Sequence, residues 1–439
     1  MEGVTQMKKM TVCFLVLMML LTLVIAGCSA EKSSGKSGET ELTFWTFNGL
    51  HEQFYVEMVK EWNKKYPDRK IKLNTVVYPY GQMHDNLSIS LIAGEGVPDI
   101  ADVELARFSN FLKGSDIPLA DLTPLIEKDR DKFVEARLTL YSKNGKLYGL
   151  DTHVGTTVMF YNMDVMKKAG VNPDDIKTWD DYHKAGQKVR KVTGKPMGTV
   201  ETNDSATFLS MISQQNSGYF DKNGKLILNN DTNVKTLQYL KDMINDKTMI
   251  PAPGGGHHSE EYYGFMNQGG AASVLMPIWY MGRFIDYMPD LKGKIAIRPL
   301  PAWKEGGDRS AGLGGTATVV PKQSKHVELA KEFLAFAKGS EEGNKKLWSV
   351  LGFDPLRWDV WSSKELKEKN KYTDYFQNGT GIFSVLLDIK DEINPIYLHE
   401  DFAKASDLVN RSVLFDALKS QQKTPKQALD RAAGELKQK

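Results

Sequence analysis

The sequence predicts an α/β protein of two lobes with a cleft between them. Three observations carry this. Strand, helix and strand patterns alternate from Glu41 to Val103. Midway, Leu147–Asp164 (LYGLDTHVGTTVMFYNMD) ends one apolar run, gathers small polar residues, and starts a new strand and helix. A segment of that kind carries a chain from one lobe into another, its polar middle facing the gap. Finally, the chain is long enough for two or more domains.

Taken in order, Glu41–Phe47 (ELTFWTF) is a strand by its aromatic and branched content, and Asn48-Gly49 breaks it. Phe54, Met58 and Trp62 recur every four residues, the buried stripe of a helix that stops at Tyr66-Pro67. Ile71–Val77 is a strand, and Gln82–Ala93 a helix closed by Gly94-Glu95-Gly96. Val97–Val103 is the next strand, with Glu104 at its far end. Asn144-Gly145 is a tight turn before the apolar Lys146–Leu150. Past the crossing, Thr157–Tyr161 is a strand, and Asp164 is read as the cap of a helix that Gly170 stops. Thr178–Asp181 caps a helix to about Val192, closed by Gly194. Helices over Thr207–Gln215 and Val234–Asp246 follow, with a hairpin-like turn at Lys222–Lys225 between them. Gln268–Met276 is a small-residue turn entering a strand that ends at Pro277-Ile278-Trp279-Tyr280. Lys294–Leu300 is a strand, Gly306–Gly315 a glycine-rich polar stretch, and Thr316–Val320 a strand crossing back. Helices are expected over Val327–Ala337 and Glu341–Val350, then an aromatic loop, Gly352–Trp361, then mostly helix to Lys439.

At the N-terminus, Lys8-Lys9 precedes 17 mostly apolar residues, Met10 to Ala26, ending in Ile25-Ala26-Gly27-Cys28. A basic head, an apolar middle and small residues before a cleavage point make a secretory signal, residues 1–27. The last four match a lipobox, so Cys28 is expected to be lipidated and to become the new N-terminus. Met7 competes with Met1 as the start, because Glu2 sits badly in a basic head. The run is short for a spanning helix of roughly 20 residues. Residues 28–40 read as a solvated tether. Firm anchoring needs more than one acyl chain, palmitate included. Cys13 is lost with the signal, so no disulfide framework is available. Removing Lys8, Lys9 and Glu2 takes the formal charge from +2 to +1, which makes no case for nucleic acid.

The string YGL…FYNMDVMKKAGV…TWDDY resembles the crossing segment of family 1 extracellular solute-binding proteins, the receptors that feed sugars to ABC importers. GEGVPDIADVE, GAASVLMPIWY, GLGGTATVV…HVELAKEFLAFA and TPKQALDRAAGEL resemble further pieces of that family, in its order. The resemblance implies a periplasmic-binding-protein-like fold with hinge strands and a ligand cleft between the lobes. It implies a monomeric lipoprotein at the outer face of the cell membrane that binds oligosaccharide, arabinose oligomers by overall similarity, and passes it to membrane permease subunits without catalysis or cofactor. On this reading residues 41–151 form the first part of lobe 1 and 152–312 the first part of lobe 2. Residues 313–365 return to lobe 1, and 366–439 are a helical part mainly on lobe 2.

A sugar presents hydroxyls around its rim and CH groups on its faces, so its receptor needs polar groups in plane and flat aromatics above. Trp279, at a strand end behind small residues, is the leading stacking platform, with Tyr280 beside it. Trp45, Asn48 and His51 belong to the first strand and the loop after it. Glu104 ends its strand, Asp151 and His153 occupy the crossing, and Phe353 and Trp358 come from the aromatic loop. Open α/β sheets gather ligands at the carboxyl ends of their strands, which favours the loops after Phe47 and Val103.

Bland readings stand beside these: core packing for each aromatic, helix capping for Glu104, hinge bonding for Asp151. His257-His258 beside Glu260 and Glu261 lack the spacing of a metal site, and His51-Glu52 lacks the second histidine of a zinc protease. No Gly-x-Ser-x-Gly elbow occurs, and Gly314-Gly315 lacks a phosphate-loop lysine. The rival classes are a tethered glycoside hydrolase, which needs two carboxyls about 5–10 Å apart, and a surface adhesin or sensor.

Overall fold

A computed structural model describes residues 39–438. The expected signal, Cys28 and most of the tether lie outside the described residues. The tether's last two residues do not: β1 already begins at Glu39.

Lobe 1 is a four-stranded sheet. Strands β1 (Glu39–Thr46), β2 (Lys70–Val77) and β3 (Ile100–Glu104) run parallel. Parallel neighbours need a crossover, and the helix Gly49–Lys65 supplies it by burying His51, Phe54, Tyr55, Met58 and Trp62. Asn48 caps that helix, its side chain accepting from the Leu50 amide at 3.1 Å. The helix Tyr80–Ala93 makes the second crossover and ends at Gly94 in the left-handed region. A small hairpin, β4 (Ser142–Lys143) and β5 (Lys146–Leu147), turns at Asn144-Gly145, both with positive φ.

Lobe 2 has a fully buried central strand, β6 (Thr157–Asn162). A short parallel pair, β7 (Gly198–Val200) and β8 (Met249–Pro251), lies beside the main sheet. That sheet is completed by β9 (Ser273–Pro277) and β10 (Ile295–Arg298), antiparallel on either side of β6. Asn162, not Asp164, caps the helix Met163–Ala169, because the strand runs on to Asn162, which still pairs with Ile295. Its side-chain oxygen accepts from the amides of Asp164 and Val165 at 3.1 and 3.4 Å. Thr178 and Asp181 form the expected capping box of the helix Trp179–Thr193. The last strand, β11 (Thr316–Val319), returns to lobe 1 and pairs antiparallel with β3, giving the order β11-β3-β1-β2. The helix expected over 341–350 is α-helical only to Lys346 and widens over Leu347–Leu351. The terminal helix Pro425–Lys437 packs on Asp231–Asn245, and the helix Phe402–Leu408 reaches across to Leu105–Phe108.

The chain passes between the lobes along two adjacent segments. Leu150 and Thr318 exchange backbone hydrogen bonds, at 3.1 and 2.8 Å. Gly155 accepts from Leu313 at 2.9 Å, and Thr157 donates to Ala311 at 2.9 Å. The Asp354 carboxylate clamps the first passage by accepting from the amides of Gly155 and Thr156, at 3.2 and 2.7 Å. Gly155 has φ +72°, and a Cβ there would lie 2.2 Å from the Leu313 carbonyl oxygen, so only glycine fits.

Buried charge holds the passages together. Arg137 donates to Asp151 from Nε at 2.9 Å and again from Nη2, which also reaches the Gly314 carbonyl at 2.6 Å. Asp151 also accepts from the Thr316 amide at 2.9 Å. Burial works to raise its pKa, but Arg137 and the Thr152 amide, which donates at 2.8 Å, hold it below the usual carboxylate range. Lys338 is buried beneath, donating to Thr152 and Thr318 hydroxyls at 2.7 and 2.6 Å. Removing one member of a buried pair leaves the other charge uncompensated. Asp151→Ala is therefore expected to destabilise the protein by about 3–5 kcal/mol, read as a lower urea midpoint. Adding Arg137→Met should recover much of that loss; an unchanged midpoint in Asp151→Ala would contradict the assignment.

Candidate functional site

Between the lobes lies a cavity of about 520 Å³. Lobe 1 contributes the carboxyl ends of β1 and β3, as the strand-end rule requires. The passages contribute His153 and Gly314–Thr316, and lobe 2 contributes Trp279 and the helix Met281–Tyr287. Of the sequence-predicted residues, Asn48, His51, Glu104, His153, Trp279 and Phe353 meet here.

His51 is oriented by a buried carboxylate. Its Nδ1 lies 2.8 Å from Asp102, which also accepts from the hydroxyls of Thr46 and Thr318, at 2.8 and 2.7 Å. Burial works to raise the Asp102 pKa, but His51, Lys338 and these donors hold it below the usual range. An ionised carboxylate only accepts, so Nδ1 carries the proton and Nε2 is turned toward Asn48, 3.4 Å away.

Glu104 accepts from the Ala106 amide at 2.7 Å and the Tyr80 hydroxyl at 3.0 Å. Burial pushes its pKa up to about 7, against the pull of those two donors. Its own amide donates to His84 Nε2 at 3.1 Å, and His84 Nδ1 donates to the Tyr80 carbonyl at 2.7 Å. Burial lowers the His84 pKa to about 4, in keeping with this neutral tautomer.

His153 packs edge-on to Phe353, ring centroids 5.1 Å apart, and lies 6.2 Å from Trp279. Burial takes its pKa down to about 3, and its Nδ1 has no hydrogen-bond partner. Trp279 sits in a single turn, Ile278–Tyr280, directly after β9. Its indole N–H donates to the Leu313 carbonyl at 3.3 Å, and His258 stacks on it at 5.6 Å. The indole is thereby fixed to the return passage and presents surface to the cavity.

Four predicted residues lie elsewhere. Strand alternation turns Trp45 away from buried Phe44 and Thr46, and it packs edge-on to Tyr78 at 5.3 Å. Asp151 is consumed by Arg137. Tyr280 turns back into lobe 2, its hydroxyl donating to the His257 carbonyl at 2.5 Å. Trp358 donates to the Asp131 carbonyl at 3.1 Å, with Lys390 over its ring at 4.8 Å. Phe47, Tyr80, His258, Arg283, Lys371 and Tyr372 line the cavity without having been singled out. Phe47 was legible as the last residue of the first strand; Lys371 and Tyr372 come from distant chain and carried no local signal.

His257 and His258 do not act together: His257 is buried against the Thr199 hydroxyl at 2.9 Å, while His258 faces the cavity. Among the described residues, His399, Glu400 and Asp401 bring ligand-type atoms within 4.8 Å of one another, away from the cavity lining. A larger groove, about 760 Å³, lies between Pro173–Thr178 and Arg298–Arg309. It draws nothing from lobe 1, and its arginines are paired with Asp174 and Glu392. The interlobe cavity is therefore the candidate site.

Residues 48–344 match the family described as bacterial extracellular solute-binding protein. The chain is 50% identical over 397 residues to an arabinooligosaccharide-binding protein of Halalkalibacterium halodurans, covering 90% of this chain and 88% of that one. It is 27% identical to a lactose-binding protein of Rhizobium radiobacter, over 72% of this chain and 73% of that one. Among solved structures, it resembles an ABC transporter-associated binding protein from B. animalis subsp. lactis in complex with β-1,6-galactobiose. The TM-score is 0.73, at 22% identity, with 91% of this chain and 97% of that one covered.

The raised pKa of Glu104 has a testable sign. The folded protein holds a proton there up to about pH 7, whereas an unfolded glutamate releases it near 4.5. Ionising Glu104 in place therefore costs stability as pH rises through that window. Glu104→Gln removes the cost. Relative to wild type, this variant should gain about 1–2 kcal/mol between pH 5 and pH 8, since Glu104 is only half-buried against the open cavity. Paired thermal melts across that range are the check; a difference that stays constant, or shrinks, contradicts the assignment.

Proposed function

The chain belongs to the bacterial extracellular solute-binding proteins, and we propose that it captures oligosaccharides, arabino-oligosaccharides first among them, and delivers them to an ABC importer. The carrying observation is the cavity between lobes, where the Trp279 indole and Phe353 stand among hydrogen-bonding groups: Asn48, His51, Glu104 and His153, with Arg283, Asp286 and Lys371 also in the lining. A polyhydroxyl ligand suits such a lining, because its hydroxyls both donate and accept and its CH faces meet the rings. The ligand stated for the half-identical relative supports the arabino- choice.

In this reading Trp279 stacks on a sugar face, and His51 Nε2, His153, Asn48 and Glu104 meet hydroxyls. Each hydrogen bond to a neutral group is worth about 0.5–1.5 kcal/mol, and to a charged one about 1.5–3. The two lobes close on the ligand by bending at the paired passages, and the closed monomer is the form the permease subunits accept. No turnover accompanies binding, in keeping with a family of receptors. Both protein donors to the Glu104 carboxyl bond Oε2, so Oε1 is the oxygen that meets a sugar hydroxyl. Anchoring through Cys28 at the outer membrane face is supported by the lipobox alone; a lipid-modified Cys28 in the mass spectrum of native protein is its test.

Calorimetry with a panel of purified oligosaccharides tests the assignment. Wild type should bind arabino-oligosaccharides in preference to maltose or lactose series. Trp279→Ala should lose about 1–3 kcal/mol of binding free energy, from the stacked ring area, with an unchanged ligand-free melting curve. Equal binding by the variant would remove Trp279 from the site, and binding of no sugar by wild type would overturn the function.

A further inference from the structure

Beneath Trp279, lobe 2 buries an acid and an imidazole that do not line the cavity. Glu201 follows β7 directly, and His257 belongs to the loop before the helix Glu260–Asn267. Both side chains are fully buried, with His257 Nδ1 3.5 Å from Glu201 Oε1. Such groups are costly to bury without partners, and theirs form one connected set. Glu201 accepts from the His257 amide at 3.3 Å and the Thr207 amide at 3.2 Å. His257 Nε2 lies 2.9 Å from the Thr199 hydroxyl, which also meets the Tyr262 hydroxyl at 3.0 Å. The Gly255 carbonyl accepts from the amides of Thr202 and Asn203, at 2.8 and 3.2 Å. The loop carrying His257 is thus fastened to the segment carrying Glu201.

This set reaches the cleft through His257. Its carbonyl takes the Tyr280 hydroxyl, and Tyr280 is the chain neighbour of Trp279. Its own neighbour, His258, lies over the Trp279 indole with ring centroids 5.6 Å apart and planes 19° apart, and edge-on to Tyr280 at 5.5 Å. The Leu313 hydrogen bond fixes one edge of the indole; His258 backs its face. Burial lowers the His257 pKa to about 3, and burial with Asp204 nearby raises that of Glu201 well above the usual carboxylate range. The titratable groups around the pair, Asp204, His258, Tyr262 and Tyr280, are held toward their neutral forms by burial as well, and the Arg283 charge lowers His258 further. His257 Nδ1 has no hydrogen-bond partner, and a protonated Glu201 Oε1 can donate to it.

We propose that Glu201 and His257 are positioning residues for sugar binding, holding His258 and Trp279 from below as a single stacked platform. The proposal rests on the oligosaccharide reading above. Neither residue meets the sugar; each acts through His258 and the Trp279–Tyr280 turn.

The test is calorimetry with one linear arabino-oligosaccharide on wild type, Glu201→Ala, Glu201→Gln, Thr199→Val and His258→Ala, with Glu201→Ala and Thr199→Val each also combined with His258→Ala. Glu201→Ala, Thr199→Val and His258→Ala should each bind about tenfold more weakly. Glu201→Gln can donate to Nδ1 and still accept from the Thr207 amide, so it should recover most of the loss. Because the pair acts through the platform, a combined variant should lose far less than the roughly hundredfold that independent effects would give. Ligand-free melts check folding, and Glu201→Ala or Thr199→Val alone suffices. Imidazole nitrogen shifts should show His257 uncharged between about pH 5 and 8. Unchanged affinity in whichever of the two variants is folded, losses that multiply in full, no recovery in Glu201→Gln, or a charged His257 overturns the proposal. If wild type binds no oligosaccharide, the reading of the site has failed and the proposal falls with it; if wild type binds and the variants match it, only the proposal falls.

Discussion

Everything in this molecule depends on running the chain between two lobes through a place where it has no full sheet to pair with. Buried backbone groups must find partners, and here side chains provide them. Asp354 takes two amides of the first passage, Asp151 takes one from the second, and Arg137 reaches a carbonyl of the second. The cleft lining grows out of this arrangement. His153 lies two residues beyond Asp151, Phe353 immediately precedes Asp354, and the Trp279 indole is tied to the Leu313 carbonyl. The residues proposed to hold ligand are thus attached to the segments proposed to bend.

The charged groups are divided accordingly. The strongly paired ones, Arg137, Asp151, Asp102 and Lys338, sit beneath the passages. Of those facing the cavity, two are pushed toward neutrality by burial: His153 down to about 3, and Glu104 up to about 7. His51 links the cavity to the buried network, since its ring faces the cavity while Asp102 fixes it from behind and Thr318 connects Asp102 to Lys338. A continuous chain of hydrogen bonds therefore runs from the cleft to both passages.

Much of this was legible in the sequence. The stripe of Phe54, Met58 and Trp62, the capping box at Thr178 and the tight turn at Asn144-Gly145 are local signals, and each appears where its pattern places it. Trp279, His51 and Glu104 line the cavity because strand ends point to it. Asp151 and Tyr280 lie outside the cavity lining because Arg137 and the His257 carbonyl, neither of them a neighbour in sequence, claim their polar atoms. Trp45 was misplaced because the strand's facing depends on which side the helices cover. Asn162 took the cap from Asp164 because strand pairing with Ile295 set where the helix could begin. Lys371 and Tyr372 reach the cleft only through the path of the C-terminal chain, which no spacing encodes.

The central claim is that paired, bonded passages let the lobes close on a ligand that touches both. A ligand shifts that equilibrium only through contacts made better in the closed state. Small-angle scattering of the protein with and without saturating arabino-oligosaccharide tests this most directly. The account predicts a smaller radius of gyration in the presence of sugar; an unchanged radius at a concentration where calorimetry shows full binding would contradict it.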